Sequence, residues 1–174
     1  MITFKDFLKE ENKKSYQIYC DLDGVLVDFI GGVKKALGIT TRELKQDEID
    51  TFLATLFGSS KEFWSGLAWT SDGKKLWNTL KDLNTEILTA CPSNCKMQPS
   101  VERGKRMWIQ KNLKISKGIN VTTRRGKVKF AGNKHILIDD YIKNINDWKS
   151  KGGIGIHHKS AAASLTELKN ILLG

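Results

Sequence analysis

Asp21 and Asp23 stand two residues apart at the end of a short β-prone run, Tyr16 to Cys20, and Gly24 follows at once. Strand side chains alternate between faces, so both carboxylates leave the strand on the same side. Gly24 permits a tight backbone turn that residues with a Cβ resist. Two like charges this close are unfavourable unless a cation or a shared proton relieves them. Mg²⁺, which takes one or two carboxylates together with phosphate oxygens and water, is the natural partner. The chemistry that suits the pair is phosphoryl transfer, where positioning and charge stabilisation supply most of the catalysis. Asp21 fits a nucleophile, and Asp23 fits an acid that protonates the leaving oxygen and then activates water. Phosphate-monoester hydrolysis requires barrier lowering on the order of 20 kcal/mol or more, so a complete site is needed around the pair.

The remaining parts of such a site must come from other strand ends. Thr85–Ala90, Ile119–Thr123 and His135–Ile138 read as apolar strands, and they close on Thr89, Thr122/Thr123 and Asp139/Asp140. A last strand is expected over 152–156. Near-continuous apolar strands alternating with helical stretches imply a parallel sheet covered on both faces. In open parallel sheets ligands bind beyond the carboxyl ends of the strands, where these polar residues would meet. Between the first two strands lies a mostly helical block. Apolar residues recur at helical spacing from Val25 to Leu37, with Gly38 as a stop; residues 40–66 read as further helix with Gly58-Ser59-Ser60 as a break, and Leu76, Trp77, Leu80 and Leu83 mark another. Helices are also expected over 100–113 and 141–150. Ser71-Asp72-Gly73 reads as a helix start, and Ser164-Leu165-Thr166-Glu167 as a capping box on the closing helix. Asp28 is expected to hold its turn by hydrogen bonds, and Trp77, Trp108 and Trp148 to fill the core.

The run Asp21-x-Asp23-Gly24-Val25-x-x-Asp28-Phe29 resembles the first motif of the haloacid dehalogenase (HAD) superfamily. Its continuation is similar to that of the 5′(3′)-deoxyribonucleotidase branch and its phage-type relatives. The resemblance implies a Rossmann-like three-layer sandwich with a mainly parallel five-stranded sheet and a small helical cap inserted after the first strand. Residues 15–30 and 84–174 would form the core, 31–83 the cap and 1–14 an N-terminal arm. It implies Asp21 as nucleophile and Asp23 as acid/base and metal ligand. Thr89, with the amide of Ala90, would hold phosphate, and Asp139 and Asp140 would complete a Mg²⁺ site, with the direct ligand of the two left open. Lys127, directly after Gly126, is favoured over Lys129 as the phosphate-neutralising lysine. Phe63, Trp64 and Trp69 match cap aromatics that close over a nucleobase; for Trp64 and Trp69 the interior of the cap is an equal alternative. One departure stands out: the family's Thr-Ser-Pro or Thr-Ala-Pro is lengthened here to Thr89-Ala90-Cys91-Pro92.

Composition bounds the rest. At 174 residues the chain fits one domain with a small insertion. No apolar run approaches the roughly 20 residues of a membrane span, so no membrane contact and a cytoplasmic location are expected. Three cysteines, Cys20, Cys91 and Cys95, give no disulfide framework and no zinc site. A net charge of +10 suits capture of phosphorylated small molecules and equally contact with nucleic acid, which is not favoured because the lysines are spread along the chain. The expected function is a Mg²⁺-dependent phosphatase of (deoxy)nucleoside monophosphates acting through an aspartyl-phosphate. The competing readings are a polynucleotide 3′-end phosphatase, a small-metabolite phosphatase and, last, a binding protein without turnover.

Overall fold

The computed structural model describes residues 16–95 and 98–174. The arm expected over 1–14 lies outside the described residues. Five short runs rich in Ile, Leu and Val form the strands β1 (Gln17–Cys20), β2 (Thr85–Ala90), β3 (Ile119–Thr122), β4 (His135–Asp139) and β5 (Ile154–His157). Every pairing is parallel, and the sheet order is β3-β2-β1-β4-β5. The chain thus runs outward from β1 in both directions, and the order reverses beside it. In register, Cys20 at the end of β1 faces Ile87 on one side and Ile138 on the other, so β4 runs one residue and β2 three residues past that level, to Asp139 and Ala90.

Alternation along β1 divides the core in two. Ile18 and Cys20 pack into one apolar cluster and Tyr19 into another, on opposite faces of the sheet. Helices α4 (Gly73–Leu80), α5 (Gln98–Leu113) and α7 (Ala161–Leu173) cover the first face through Leu76, Leu80, Val101, Trp108, Ile109 and Leu168. The 3₁₀ helix Arg125–Phe130 and helix α6 (Ile142–Lys149) cover the second through Phe130, Ile145 and Trp148. This is a three-layer, Rossmann-like α/β fold. None of the described helices is long and apolar enough to cross a membrane.

Three further helices, α1 (Phe29–Leu37), α2 (Gln46–Leu53) and α3 (Lys61–Ser65), lie between β1 and α4. Asp28 caps α1 by accepting from Gly31 N at 2.9 Å, and Gly38 ends it at φ 68°. The helical stretch expected over 40–66 is interrupted, as Gly58-Ser59-Ser60 suggests, but already from residue 54. Thr55 Oγ1 donates to Phe52 O at 2.7 Å and Ser59 Oγ to Leu53 O at 2.8 Å, hydroxyl bonds that compete with helix continuation. Asp72 is the N-cap of α4, at the helix start expected over Ser71-Asp72-Gly73, and its carboxylate accepts from Ala161 N, tying α4 to the start of α7. The cap of α7 shifts. Helix α7 is capped by Ser160, not Ser164, which is buried and bonded to His158.

Candidate active site

At the end of β1, Asp21 N donates to Ile138 O at 2.9 Å, which carries the β1–β4 pairing one step further and fixes the Asp21 backbone. The next turn is wound about Leu22 O, which accepts from Leu26 N at 2.9 Å and Val27 N at 2.8 Å. Gly24 holds φ 77° in this turn, and a Cβ there would stand 2.1 Å from Asp140 Oδ2. Glycine is therefore required twice, for backbone angle and for the approach of Asp140. The segment entering α4 pins the turn from outside: Thr70 Oγ1 donates to Val25 O at 2.8 Å, and Val27 bridges Trp69.

Asp21, Thr89, Asp139 and Lys127 are all buried at this rim. Lys127 Nζ lies 2.8 Å from Asp21 Oδ1 and 2.7 Å from Asp139 Oδ2. It is aimed there by the first turn of the 3₁₀ helix, where Lys127 N donates to Thr123 O at 3.2 Å. Lys129, two residues on, is exposed. Asp139 is saturated: Oδ1 accepts from Tyr141 N at 2.9 Å and both oxygens accept from Asn144 Nδ2. Oxygens of Asp21, Asp139 and Asp140 all lie within 4.8 Å of one another.

Asp23 faces a second lysine. Lys105, on α5, donates to Asp23 Oδ2 and, at 3.1 Å, to Thr89 Oγ1. Asp23 Oδ1 is buried and finds no hydrogen-bond partner among the described residues. Two ammonium groups thus serve four carboxylates, which leaves two negative charges unbalanced if all are ionised. The titration behaviour follows. Burial pushes the Asp21 carboxyl up to about 8; Lys127 opposes this, and Asp139, Asp23 and Asp140 add to it. Burial, with Asp139 and Asp23, raises Asp140 to about 6. Burial alone would lower Lys127, but Asp21 and Asp139 outweigh it and hold the ammonium well above its usual value. A divalent cation matches both the deficit of two charges and the all-oxygen donor set.

Asp21, Asp23, Lys127 and Asp140 open onto a cleft of about 470 Å³, with Thr89, Asp139 and Lys105 buried behind its lining. Its floor carries Asp21, Asp23, Ala90, Lys127 and Asp140, and its roof Phe29, Ile30, Ile49, Asp50 and Leu53 of α1 and α2. Asn94 Nδ2 reaches across from the loop after β2 to Asp50 Oδ1 at 3.2 Å. Of the three aromatics expected to close over a base, Phe63, Trp64 and Trp69, Trp64 alone borders the cleft, yet its ring is buried, stacked on Phe29 at 5.3 Å. Phe63 packs edge-on against Phe52 at 4.9 Å and faces a separate groove. Trp69 lies outside the cleft against Trp108, also at 4.9 Å.

Sequence reasoning passed over Lys105 and Asn144. The first carried a signal: Val101, Lys105, Trp108 and Ile109 share one helical face, and a lysine in an apolar stripe demands a partner. Asn144 carried none, because its role depends on how α6 turns back over Asp139.

No family model matches the chain, and no curated protein does. Solved structures of similar shape include a hydrolase from Streptococcus pneumoniae TIGR4, 12% identical, with a TM-score of 0.47 over 92% of this chain and 100% of that one. Another is a HAD-superfamily hydrolase from Ehrlichia chaffeensis, 14% identical, with a TM-score of 0.45 over 91% of this chain and 96% of that one. At these values the description of the fold rests on the strand order and registers themselves.

Proposed function

We propose that the chain is a Mg²⁺-dependent phosphatase of the HAD type, hydrolysing phosphate monoesters through a phosphoryl group carried on Asp21. The observation that carries this reading is the Asp21 carboxylate, buried at the foot of an open cleft, with Lys127 on one side and Thr89, Asp23 and Lys105 on the other. Asp21, the Asp23 carbonyl and Asp140 would hold the cation. Asp139 already accepts three donors, so it is better placed to orient Lys127 than to bind metal directly. The unbalanced charge and the carboxylate oxygens of Asp21, Asp139 and Asp140, gathered within 4.8 Å of one another, fit such an ion. Bound there, Mg²⁺ supplies charge neutralisation between nucleophile and phosphate.

The chain's own residues account for the rest. Thr89 and the Ala90 amide seat the phosphate, and Lys127 neutralises it and holds Asp21. An Asp21 oxygen bonds to phosphorus as the ester P–O bond breaks, and Asp23 gives its proton to the departing oxygen. Water then attacks phosphorus, passing its proton to Asp23, and the Asp21–phosphorus bond breaks to release orthophosphate.

The substrate we favour is a (deoxy)nucleoside monophosphate. The apolar roof of Phe29, Ile30, Ile49 and Leu53 suits a planar leaving group of that size, with residues 31–83 as the cap over a core of 15–30 and 84–174. The basic balance of +10 supports a second reading, action at polynucleotide 3′ ends. One screen tests both: phosphate release from mononucleotides, oligonucleotide ends and sugar phosphates, with and without Mg²⁺. Mononucleotides turning over best support the first reading. Oligonucleotide ends turning over best, with steep salt dependence, support the second. No Mg²⁺-dependent release from any of them would discard both.

A further inference from the structure

Lys105 is the one large charged side chain on α5 buried as fully as the aromatics around it, at 1% exposure. Three contacts account for its ammonium: Asp23 Oδ2 in the β1 turn, Thr89 Oγ1 at the end of β2, and the ring of Trp64 on α3 at 4.3 Å. The close approach behind this is built in. A Cβ on Gly104 would lie 2.6 Å from Lys61 O and 2.7 Å from Trp64 Cβ, so only glycine lets α3 rest against α5 here. Trp64 in turn stacks on Phe29, at the roof of the cleft.

A buried lysine is a poor device for stability, because an apolar residue of similar volume fills the space without desolvating a charge. Met or Leu would continue the stripe of Val101, Trp108 and Ile109. What an apolar residue could not do is hold an acid and a hydroxyl from two different strands in one geometry. We propose that Lys105 is a positioning residue for the phosphoryl transfer described above: it fixes the Asp23 carboxylate against the Thr89 hydroxyl, so that the proton donor and the phosphate seat keep one spacing. The inference rests on that reading of the site. With its Oδ2 held by Lys105, Asp23 has only Oδ1 left to turn toward a leaving oxygen, and Oδ1 is the atom left without a partner.

The test is a double-mutant cycle on the full chain with Mg²⁺ and the best substrate of the screen, with melting temperature recorded for every variant. Lys105→Met is expected to lower kcat about 100-fold, the size of loss that an ångström of misplacement produces. In an Asp23→Asn background the same change is expected to cost less than about threefold, because the group it positions no longer acts. A purely structural lysine would give the same factor in both backgrounds, and that result overturns the proposal. So does Lys105→Met with kcat within threefold of wild type. If Lys105→Met does not fold, Lys105→Gln takes its place with the same two criteria. A wild-type chain inactive on every substrate removes the reading of the site and this role together; an active wild type with an equally active Lys105 variant removes this role alone.

Discussion

Lys127 and Asp139 form an ion pair of 2.7 Å that is closed to solvent on both sides, Lys127 being 2% exposed and Asp139 fully buried. The ammonium also reaches Asp21, so two carboxylates share one positive charge at the foot of the cleft. Breaking a buried pair from one side leaves a charge without compensation, which costs about 3–5 kcal/mol. Lys127→Met is therefore expected to destabilise the fold by about that amount. Denaturant unfolding at pH 7 checks it, with Lys129→Met as a control that changes neither stability nor turnover, since Lys129 is exposed. Equal loss from the two variants would remove Lys127 from the centre of the site.

Asp21→Asn separates chemistry from stability. The amide cannot form the bond to phosphorus, so phosphate release is expected to drop at least about 1,000-fold, in the range that other enzymes lose with their nucleophile. The fold should not suffer. Asp21 has its pKa raised by burial to about 8, so ionising it opposes folding, and the neutral amide removes that opposition. At pH 8 without metal the variant should melt at or above the wild-type temperature. Near-wild-type hydrolysis would transfer the nucleophile's role elsewhere.

How much of this could be read from the chain differs from residue to residue. The turn at Asp21–Gly24 is local, so a strand, two acids and a glycine in succession already fix which side the carboxylates take. Thr89, Asp139 and Asp140 could be placed with them because strand ends in a parallel sheet share a rim, and apolar runs such as Ile136–Ile138 mark strands without ambiguity. Lys105 needed the structure, since its burial depends on Gly104 admitting α3, a contact between segments 40 residues apart. The roof was equally hidden. Aromatic type suggested Trp69, but Val27 and Trp108 hold it on the far side, and Ile49 and Leu53 of α2 line the cleft instead. At α7 the capping-box pattern at Ser164 was present but unused, because Ala161–Ala163 favour helix and Ser160 takes the cap.

Metal binding should be coupled to proton release. Asp21 shifts from an ordinary 3.8 to about 8, so between those values the folded protein holds a proton that the unfolded chain has lost. A raised carboxyl pKa makes metal-free stability fall as pH rises through that window, and Asp140 adds the same trend up to about 6. A divalent cation binds the ionised acids and cancels the effect. Added Mg²⁺ is expected to raise the melting temperature more at pH 8 than at pH 6, and chelation to abolish turnover. Titration calorimetry at pH 7 in two buffers of different ionisation heat should show about one proton released per metal bound. Heats independent of the buffer would contradict this coupling.

Gly24→Ala tests the approach of Asp140 to the β1 turn. The added methyl would stand 2.1 Å from Asp140 Oδ2, and the backbone at φ 77° is already unfavourable for a residue with a Cβ. The backbone term alone costs about 1–2 kcal/mol. The larger effect is expected on the site, because the only relief open to the methyl is to push Asp140 away from Asp21 and Asp139, whose oxygens now lie within 4.8 Å of its own. Mg²⁺ affinity should fall at least about tenfold, a loss of about 1.4 kcal/mol. Gly38→Ala provides the comparison, for Gly38 has φ 68° and no atom within 4 Å of the Cβ position. It should carry the backbone cost without weakening Mg²⁺. If both variants bind the metal as tightly as wild type, Asp140 has no part in holding it.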